Sequence, residues 1–169
     1  MKTKITVIQG DITKLKVDVI VNAANKTLLG GGGVDGAIHR AAGSGLLEEC
    51  KTLGGCETGD TKVTKAYNLQ AKYIVHTVAS VYGKEGGHER ELLSSCYTKS
   101  MEIADQLGAK SIAFPCIGAG AFHYPHNEAA KIAIETVKRY LVENETGLEE
   151  VIFVTFSEID YILYKQYEL

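Results

Sequence analysis

The sequence predicts an α/β fold, a three-layer α/β/α sandwich, from two features of its hydrophobic pattern. Residues 17–23 and 72–79 are nearly continuous apolar runs, which are typical of strands buried on both faces. Other segments, such as residues 89–107, repeat apolar side chains every three or four positions, as amphipathic helices do. Strands and helices alternate without a repeat or a low-complexity linker, so we predict a single domain over residues 1–169.

The individual elements follow from these patterns and from turn residues. Strands are predicted at residues 4–9, 17–23, 61–67, 72–79, 111–115 and 150–156. Helices are predicted after the glycines of residues 30–33, at 45–52, 89–107 and 125–143, and after Ser157. Ser44 is expected to cap the second helix, and Ser157 with Asp160 is expected to cap the last one.

Composition and charge exclude several classes of protein. The net charge of −3 comes from 18 basic and 21 acidic residues without long runs, so neither nucleic acid nor a membrane is an expected partner. Residues 1–14 lack the apolar core of a signal peptide, and we expect a cytoplasmic protein that is a monomer. The four cysteines are far apart without a CxxC pair, which favours reduced thiols over disulfides or structural zinc.

Four consecutive glycines at residues 30–33 lie between a buried strand and a helix. Without a Cβ, their backbone can approach a ligand closely and turn successive N–H groups toward an anion. The helix that follows adds unpaired N–H donors and the positive end of its dipole. We therefore interpret this stretch as a site for a nucleotide diphosphate. Asp35 and His39 lie one turn apart, and we expect both on the helix face opposite the apolar stripe.

A second strand-to-glycine junction has the same design. The short apolar strand at residues 111–115 opens into CIGAGAF at residues 116–122, and a helix is predicted to begin near Pro125. The chain thus contains two loops that are suited to phosphate groups.

Other nucleotide-binding motifs fit less well. Gly31, Gly33 and Gly36 satisfy GxGxxG, but no acidic residue ends a strand about 20 residues later, as a dinucleotide-binding Rossmann fold requires. The chain also lacks the Gly-Lys-Ser/Thr sequence of a P-loop.

Nucleophilic and metal chemistry is also disfavoured. His123 and His126 have no third ligand at suitable spacing, so no metal site is expected. We interpret His76, inside a strand, as a core or sheet-end histidine whose hydrogen bonds are satisfied. Cys116 adjoins the second loop, but no neighbouring residue marks a base for it, and we expect an inert buried thiol.

Residues 10–43, GDITKLKVDVIVNAANKTLLGGGGVDGAIHRAAG, closely resemble the macrodomain family, specifically its MacroD-type ADP-ribosyl hydrolases. The resemblance continues through CETGDTKVTKAYNLQAKYIVHTV at residues 56–78 and PCIGAGAFHYP at residues 115–125. It implies a mixed central sheet and an ADP-ribose cleft across the carboxyl ends of the strands, where open α/β sheets generally bind ligands. It implies no metal and no cofactor.

The resemblance also implies roles for individual residues. Asp11 would accept from the adenine amino group, Ile12 would offer backbone contact, and Phe156 would lie against the adenine ring. The residues that would meet the diphosphate are Gly32, Gly33 and Val34 on one side and Gly118, Ala119, Gly120, Ala121 and Phe122 on the other. Phe122 would also cover the distal ribose. The residues near that ribose would be Asn22, Asn25, Asp35 and His39.

The activity implied by the resemblance is hydrolysis of an ester between the distal ribose and a carboxylate. The substrates would be mono-ADP-ribosylated Asp or Glu side chains, or O-acetyl-ADP-ribose. A water held between the diphosphate and Asp35 would attack, while Asn25 would fix the ribose. Two alternatives remain: a reader module that binds ADP-ribose without turnover, and an RNA-associated regulator, which the lack of a basic patch disfavours.

The second loop departs from the family pattern. Gly118 and Ala119 stand where relatives usually have Ser-Thr before Gly120, and His123 stands where they have glycine. Two hydroxyl groups are therefore absent and one ring is added beside the expected diphosphate.

Overall fold

The computed structural model describes residues 2–120 and 122–168, which form six strands, five α-helices and one short 3₁₀ helix. The strands β1 to β6 are Lys4–Gln9, Val19–Ala24, Thr61–Lys65, Tyr73–Val78, Ser111–Phe114 and Glu150–Thr155. The helices α1 to α5 are Gly33–Ala42, Ser44–Lys51, Glu89–Gln106, His126–Glu143 and Glu158–Glu168. The 3₁₀ helix, Ile12–Lys14, follows β1.

The strands form one mixed sheet in the order β1-β6-β5-β2-β4-β3. β3 pairs antiparallel with β4, and the other neighbouring pairs are parallel. Because β1, β6, β5 and β2 are adjacent and parallel, the segments that follow them emerge at the same edge of the sheet. The predicted mixed sheet is confirmed, and this edge is where open α/β sheets place ligands.

Helices cover both faces of the sheet, which confirms the three-layer sandwich. Successive residues of β2 illustrate the division: Val19 and Val21 face the core beneath α3, α4 and α5, whereas Ile20 faces the core beneath α1 and α2. This alternation is the two-residue period of a strand. Phe114 and Phe153 stack in the first core with their ring centroids 5.7 Å apart.

The two predicted helix caps have different outcomes. Ser157 Oγ accepts from the backbone N–H of Asp160 at 3.1 Å, so that cap is confirmed. The prediction for Ser44 is wrong, because Ser44 is the first residue of α2 and makes no capping bond. Gly43, with φ +90°, ends α1 and directly precedes α2, so no position remains between the helices for a serine cap.

The cysteines show no disulfide in the described part of the chain. All four cysteines, each in the described part of the chain, are free thiols. Burial raises the pKa of Cys116 to about 12, so the thiol is protonated and a poor nucleophile at neutral pH. Within the described residues, no helix combines the length and apolar character needed to span a membrane.

Candidate functional site

Four polar or glycine-rich segments lie side by side at the carboxyl edge of the sheet. In spatial order, Asp11 follows β1, Phe156 follows β6, residues 116–124 (the second glycine loop) follow β5, and residues 25–32 (the first glycine loop) follow β2. Neighbouring strands are about 4.8 Å apart, so the row spans about 14 Å. The edge thus offers an elongated site rather than a single point.

Asp11 begins the row and caps the 3₁₀ helix. Its Oδ1 accepts from Thr13 N at 2.9 Å and from Thr13 Oγ1 at 2.7 Å. The side-chain bond from Thr13, followed by the backbone bond, lowers the pKa of the Asp11 carboxyl, so it is ionised. Both bonds among the described residues use Oδ1, which leaves Oδ2 as an acceptor. Ile12 is buried, so only its backbone can meet a ligand.

Phe156 stands beside Asp11 and is not part of the core. Its side chain is 89% exposed, although it directly follows the buried strand β6. Two hydrogen bonds tie the segments together: Gln9 Nε2 donates to Phe156 O, and Gly10 N donates to Thr155 O. An exposed aromatic residue and an ionised carboxylate therefore follow two adjacent, hydrogen-bonded strands.

The side chain of Asn25 shapes the first glycine loop. Its Oδ1 accepts from Thr27 N at 3.1 Å and from Thr27 Oγ1 at 2.6 Å, while its Nδ2 donates to Gly30 O at 2.9 Å. Gly30 has a φ of +97°, which glycine adopts without steric cost. An amide nitrogen carries two hydrogens, so Asn25 Nδ2 has one left for a ligand.

Close packing explains why glycine is needed at positions 31 and 36. A Cβ on Gly31 would lie 3.2 Å from Asp35 Oδ2 and 3.3 Å from Asn25 Nδ2. A Cβ on Gly36 would lie 2.5 Å from Gly31 O, which is too close for any side chain. The first loop therefore passes directly over α1, and Asp35 and Asn25 converge beside Gly31.

Gly32 and Gly120 have the opposite surroundings. A Cβ on either residue would meet no described heavy atom within 4 Å, and neither has the left-handed backbone that favours glycine. The fold itself therefore does not require glycine at these positions. Gly33, with φ +57°, begins α1, and Val34 is half-buried. The backbone of both loops is thus open to a ligand.

The structure corrects the expected position of Asp35. It is only 5% exposed and shares the buried face of α1 with Ile38 and Ala42, so it does not lie opposite the apolar stripe. A buried carboxylate needs a partner, and Asn22 Nδ2 donates to its Oδ1 at 2.8 Å. His39, also mostly buried, has Nε2 3.5 Å from the same oxygen.

Asn22 lies behind Asp35 and has no exposed surface. Its Nδ2 is also 3.1 Å from Nδ1 of His76, whose Nε2 is 2.9 Å from Thr64 Oγ1. Burial, and secondarily the nearby His39, lowers the pKa of His76 to about 3, so the ring is neutral. The interpretation of His76 as a satisfied core histidine is confirmed. Its link to Asn22 was missed, although both lie within neighbouring apolar strands.

The second glycine loop is held from behind by the core. Tyr124 N donates to Gly118 O at 2.9 Å, and Ile117 N donates to the Tyr97 hydroxyl oxygen at 3.4 Å. Gly118 has a φ of +84°, and a Cβ there would lie 3.4 Å from Leu93 Cδ1. These contacts restrain the described backbone of the loop from the core side.

The remaining residues of this loop are placed as follows. Ala119 is buried and can offer only its backbone to a ligand. Phe122 is half-buried against the core, and its carbonyl oxygen accepts from Tyr82 N. Ala121 lies outside the described residues. His123, exposed at the family's glycine position, adopts the left-handed backbone with φ +63°.

The histidines near this loop do not form a metal centre. Among the described residues, no three His, Cys, Asp or Glu side chains cluster in a way that could hold a metal ion. Instead, His126 Nδ1 lies 2.6 Å from Asp160 Oδ1 at the start of α5.

Comparisons with known proteins agree with this geometry. The Macro domain family model matches residues 21–133, which include both glycine loops. A Macro domain-containing protein of Methanosarcina mazei is 60% identical over 92% of this chain and 82% of its own length. Human ADP-ribose glycohydrolase MACROD2 is 48% identical over 96% of this chain. The matched part is 39% of that relative, and the chain likewise spans well under half of the Xenopus laevis protein of the same name.

Solved structures give the same result. The Oceanobacillus iheyensis macrodomain with ADP is 42% identical and superimposes with a TM-score of 0.91, covering 95% of this chain and 87% of that one. The Trypanosoma brucei macrodomain in complex with ADP-ribose is also 42% identical, with a TM-score of 0.90, covering 96% and 68%. The resemblance of residues 10–43 to MacroD-type proteins is therefore confirmed, and the chain belongs to the macrodomain family.

Proposed function

We propose that this protein hydrolyses the ester between the distal ribose of ADP-ribose and a carboxylate. Its substrates would be mono-ADP-ribosylated aspartate or glutamate side chains, and O-acetyl-ADP-ribose, which it would deacetylate. Support comes from relatives named ADP-ribose glycohydrolases and from similar macrodomains solved with ADP or ADP-ribose. The reaction would reverse ADP-ribosylation.

The observation that carries the proposal is the order of chemical groups along the sheet edge. An exposed ring and a carboxylate come first, at Phe156 and Asp11, and they suit the π-face and the polar edge of adenine. Two open glycine backbones follow, and Asp35 comes last. ADP-ribose has its adenosine, diphosphate and distal ribose in the same order.

Backbone groups would bind the diphosphate. α1 begins at Gly33, so the unpaired N–H groups and the positive dipole end of its first turn lie at the first loop. Gly32 and Gly120 add backbone that no side chain covers. A chain with a net charge of −3 can bind a dianion by such fixed local dipoles.

Asp35 would act on the attacking water. Its Oδ1 is engaged by Asn22, while its Oδ2 lies toward Gly31 and the last free N–H of Asn25. A carboxylate and a diphosphate repel each other, so the two anions do not contact directly. A water between them can then be oriented or deprotonated by Asp35 Oδ2. One water is consumed: its oxygen bonds to the distal ribose as the C–O bond between that ribose and the carboxylate breaks, the carboxylate leaves as an anion, and the proton of the water passes to Asp35 and then to solvent.

The adenine assignment predicts that Phe156→Ala weakens ADP-ribose binding by about 1–3 kcal/mol, because a base loses its stacking surface. Isothermal titration calorimetry measures this change. Ile159→Ala is a matched control, since Ile159 is another exposed apolar side chain, 69% accessible, and is the second residue of α5. Equal affinities for the two variants would remove Phe156 from the adenine site.

The diphosphate assignment predicts that Gly120→Glu abolishes ADP-ribose binding, because a carboxylate would be added where the phosphates approach. The space around Gly120 accepts a side chain, so the variant is expected to fold. Gly120→Gln has the same bulk without the charge and should bind more tightly than Gly120→Glu in the same calorimetric titration. Wild-type affinity in folded Gly120→Glu would refute the assignment.

The catalytic assignment predicts that Asp35→Asn slows turnover far more than it weakens binding. Loss of a general base costs about 100- to 10,000-fold in rate, whereas a lost hydrogen bond to ribose costs only about 1 kcal/mol. Asparagine keeps an oxygen for Asn22, so the fold is preserved. Asn25→Ala should show a similar but smaller effect.

Single-turnover release of ADP-ribose from a glutamate-linked mono-ADP-ribosylated peptide gives the rate, and calorimetry gives the affinity. Hydrolysis by Asp35→Asn at the wild-type rate would contradict the mechanism, and affinity lost in step with rate would make Asp35 a ligand-holding residue. A wild-type protein that binds ADP-ribose but releases none would instead be a reader module.

A further inference from the structure

Four buried polar side chains link the edge strand β3 to helix α1 across the sheet. Thr64 lies on β3, His76 on β4, Asn22 on β2 and Asp35 on α1, and none is more than 5% exposed. The consecutive separations are 2.9 Å from Thr64 Oγ1 to His76 Nε2, 3.1 Å from His76 Nδ1 to Asn22 Nδ2, and 2.8 Å from Asn22 Nδ2 to Asp35 Oδ1. The proposed reaction uses only the last member of this row.

The positions of the hydrogens in this row can be assigned one after another, starting from the carboxylate of Asp35. An ionised carboxylate only accepts, so the group that Asn22 presents to Asp35 is its NH₂. The second hydrogen of that NH₂ is directed to Nδ1 of His76, which must be unprotonated to accept it. The hydrogen of a neutral imidazole is then on Nε2, which donates to Thr64 Oγ1. Each hydrogen bond fixes the orientation of the next group.

The carbonyl oxygen of Asn22 does not help to hold its amide. Oδ1 is buried and has no hydrogen-bond partner among the described residues. The orientation of the amide therefore depends on the two bonds made by Nδ2. If the bond to His76 weakens, the amide that directs Asp35 loses one of its two restraints.

The surroundings keep the imidazole neutral. Burial is the main cause of the lowered His76 pKa, and the nearby His39 lowers that pKa further. Nδ1 therefore remains an acceptor throughout the neutral pH range.

We propose that Thr64 and His76 are positioning residues that hold the amide of Asn22, and through it the carboxylate of Asp35, in the orientation needed for ester hydrolysis. This inference rests on the function proposed above. Neither residue touches the ligand in this scheme. Thr64 acts from the edge strand β3, two strands away from Asn22, by selecting the tautomer of His76.

Thr64→Val tests the proposal with little change of shape. Valine cannot accept from His76 Nε2, so the selected tautomer loses its partner and the restraint on Asn22 weakens. Thr77→Val is the matched control: Thr77 is equally buried, lies next to His76 on β4, and uses its hydroxyl to bond Asp60 O at 3.0 Å, outside the row. Thr64→Ser keeps the acceptor oxygen and should restore the function.

We expect Thr64→Val to slow single-turnover hydrolysis of the glutamate-linked substrate by about tenfold or more, the scale of losses when partners of site ligands are removed. ADP-ribose affinity should stay within about twofold, because the diphosphate and adenine contacts are untouched. Thr77→Val and Thr64→Ser should hydrolyse at close to the wild-type rate. A long-range ¹H–¹⁵N spectrum of the wild-type protein should show His76 protonated on Nε2 at neutral pH.

The outcomes separate this inference from the proposed function. Equal rates for folded Thr64→Val and Thr77→Val, with an active wild-type protein, would overturn the positioning role and leave hydrolysis intact. A wild-type His76 protonated on Nδ1 would overturn it even if Thr64→Val did not fold. A wild-type protein that releases no ADP-ribose would remove the proposed function, and the positioning role with it.

Discussion

The burial of the Asp35 carboxylate in the first turn of α1 is the constraint on which the rest of the site depends. A charge with 5% exposure must be hydrogen-bonded, and the partner comes from β2 through Asn22. The helix end favours a negative charge there. The first glycine loop must then pass over the helix without side chains, which explains Gly31 and Gly36. β2, the first glycine loop and α1 are thus packed together around the carboxylate of Asp35.

The parallel strands convert this local arrangement into an elongated cleft. Because β1, β6, β5 and β2 end at one edge, side chains far apart in sequence form a row. The second loop is held from the core side by hydrogen bonds from Ile117 N to the Tyr97 hydroxyl and from Tyr124 N to Gly118 O. His123 in this loop adopts a left-handed backbone, which non-glycine residues rarely do.

Much of this could be predicted from sequence where the signal is local. The span of β1 matched its prediction because Gly10 and Asp11 end the strand clearly, and the glycine loops were recognised because they join an apolar strand to a helix. The buried position of Asp35 was missed because an apolar-stripe argument counts a carboxylate as solvent-facing. Asp35 can be buried because Asn22 on β2 donates a hydrogen bond to its carboxylate, and an apolar-stripe argument does not include this partner.

The polar row behind Asp35 could not be predicted for a related reason. Asn22 and His76 are opposite each other in register, but strand pairing over 54 residues is a non-local fact that periodicity does not contain. Thr64 joins them only because β3 runs antiparallel to β4. The position of Phe156 outside the core was expected only from the resemblance, since an aromatic residue after an apolar strand usually continues the core.

The chemistry of the leaving group gives the most direct test of the account. A carboxylate, with an ordinary pKa of about 4.3 for glutamate, departs without a proton, whereas an arginine guanidine must be protonated to leave. A site built around one buried base should therefore release ADP-ribose from a glutamate-linked peptide and not from an arginine-linked peptide of the same sequence. The measurement is the amount of ADP-ribose freed from each over time. Release from the glutamate-linked peptide alone is the predicted result, and no release from it, or equal release from both, would contradict the account.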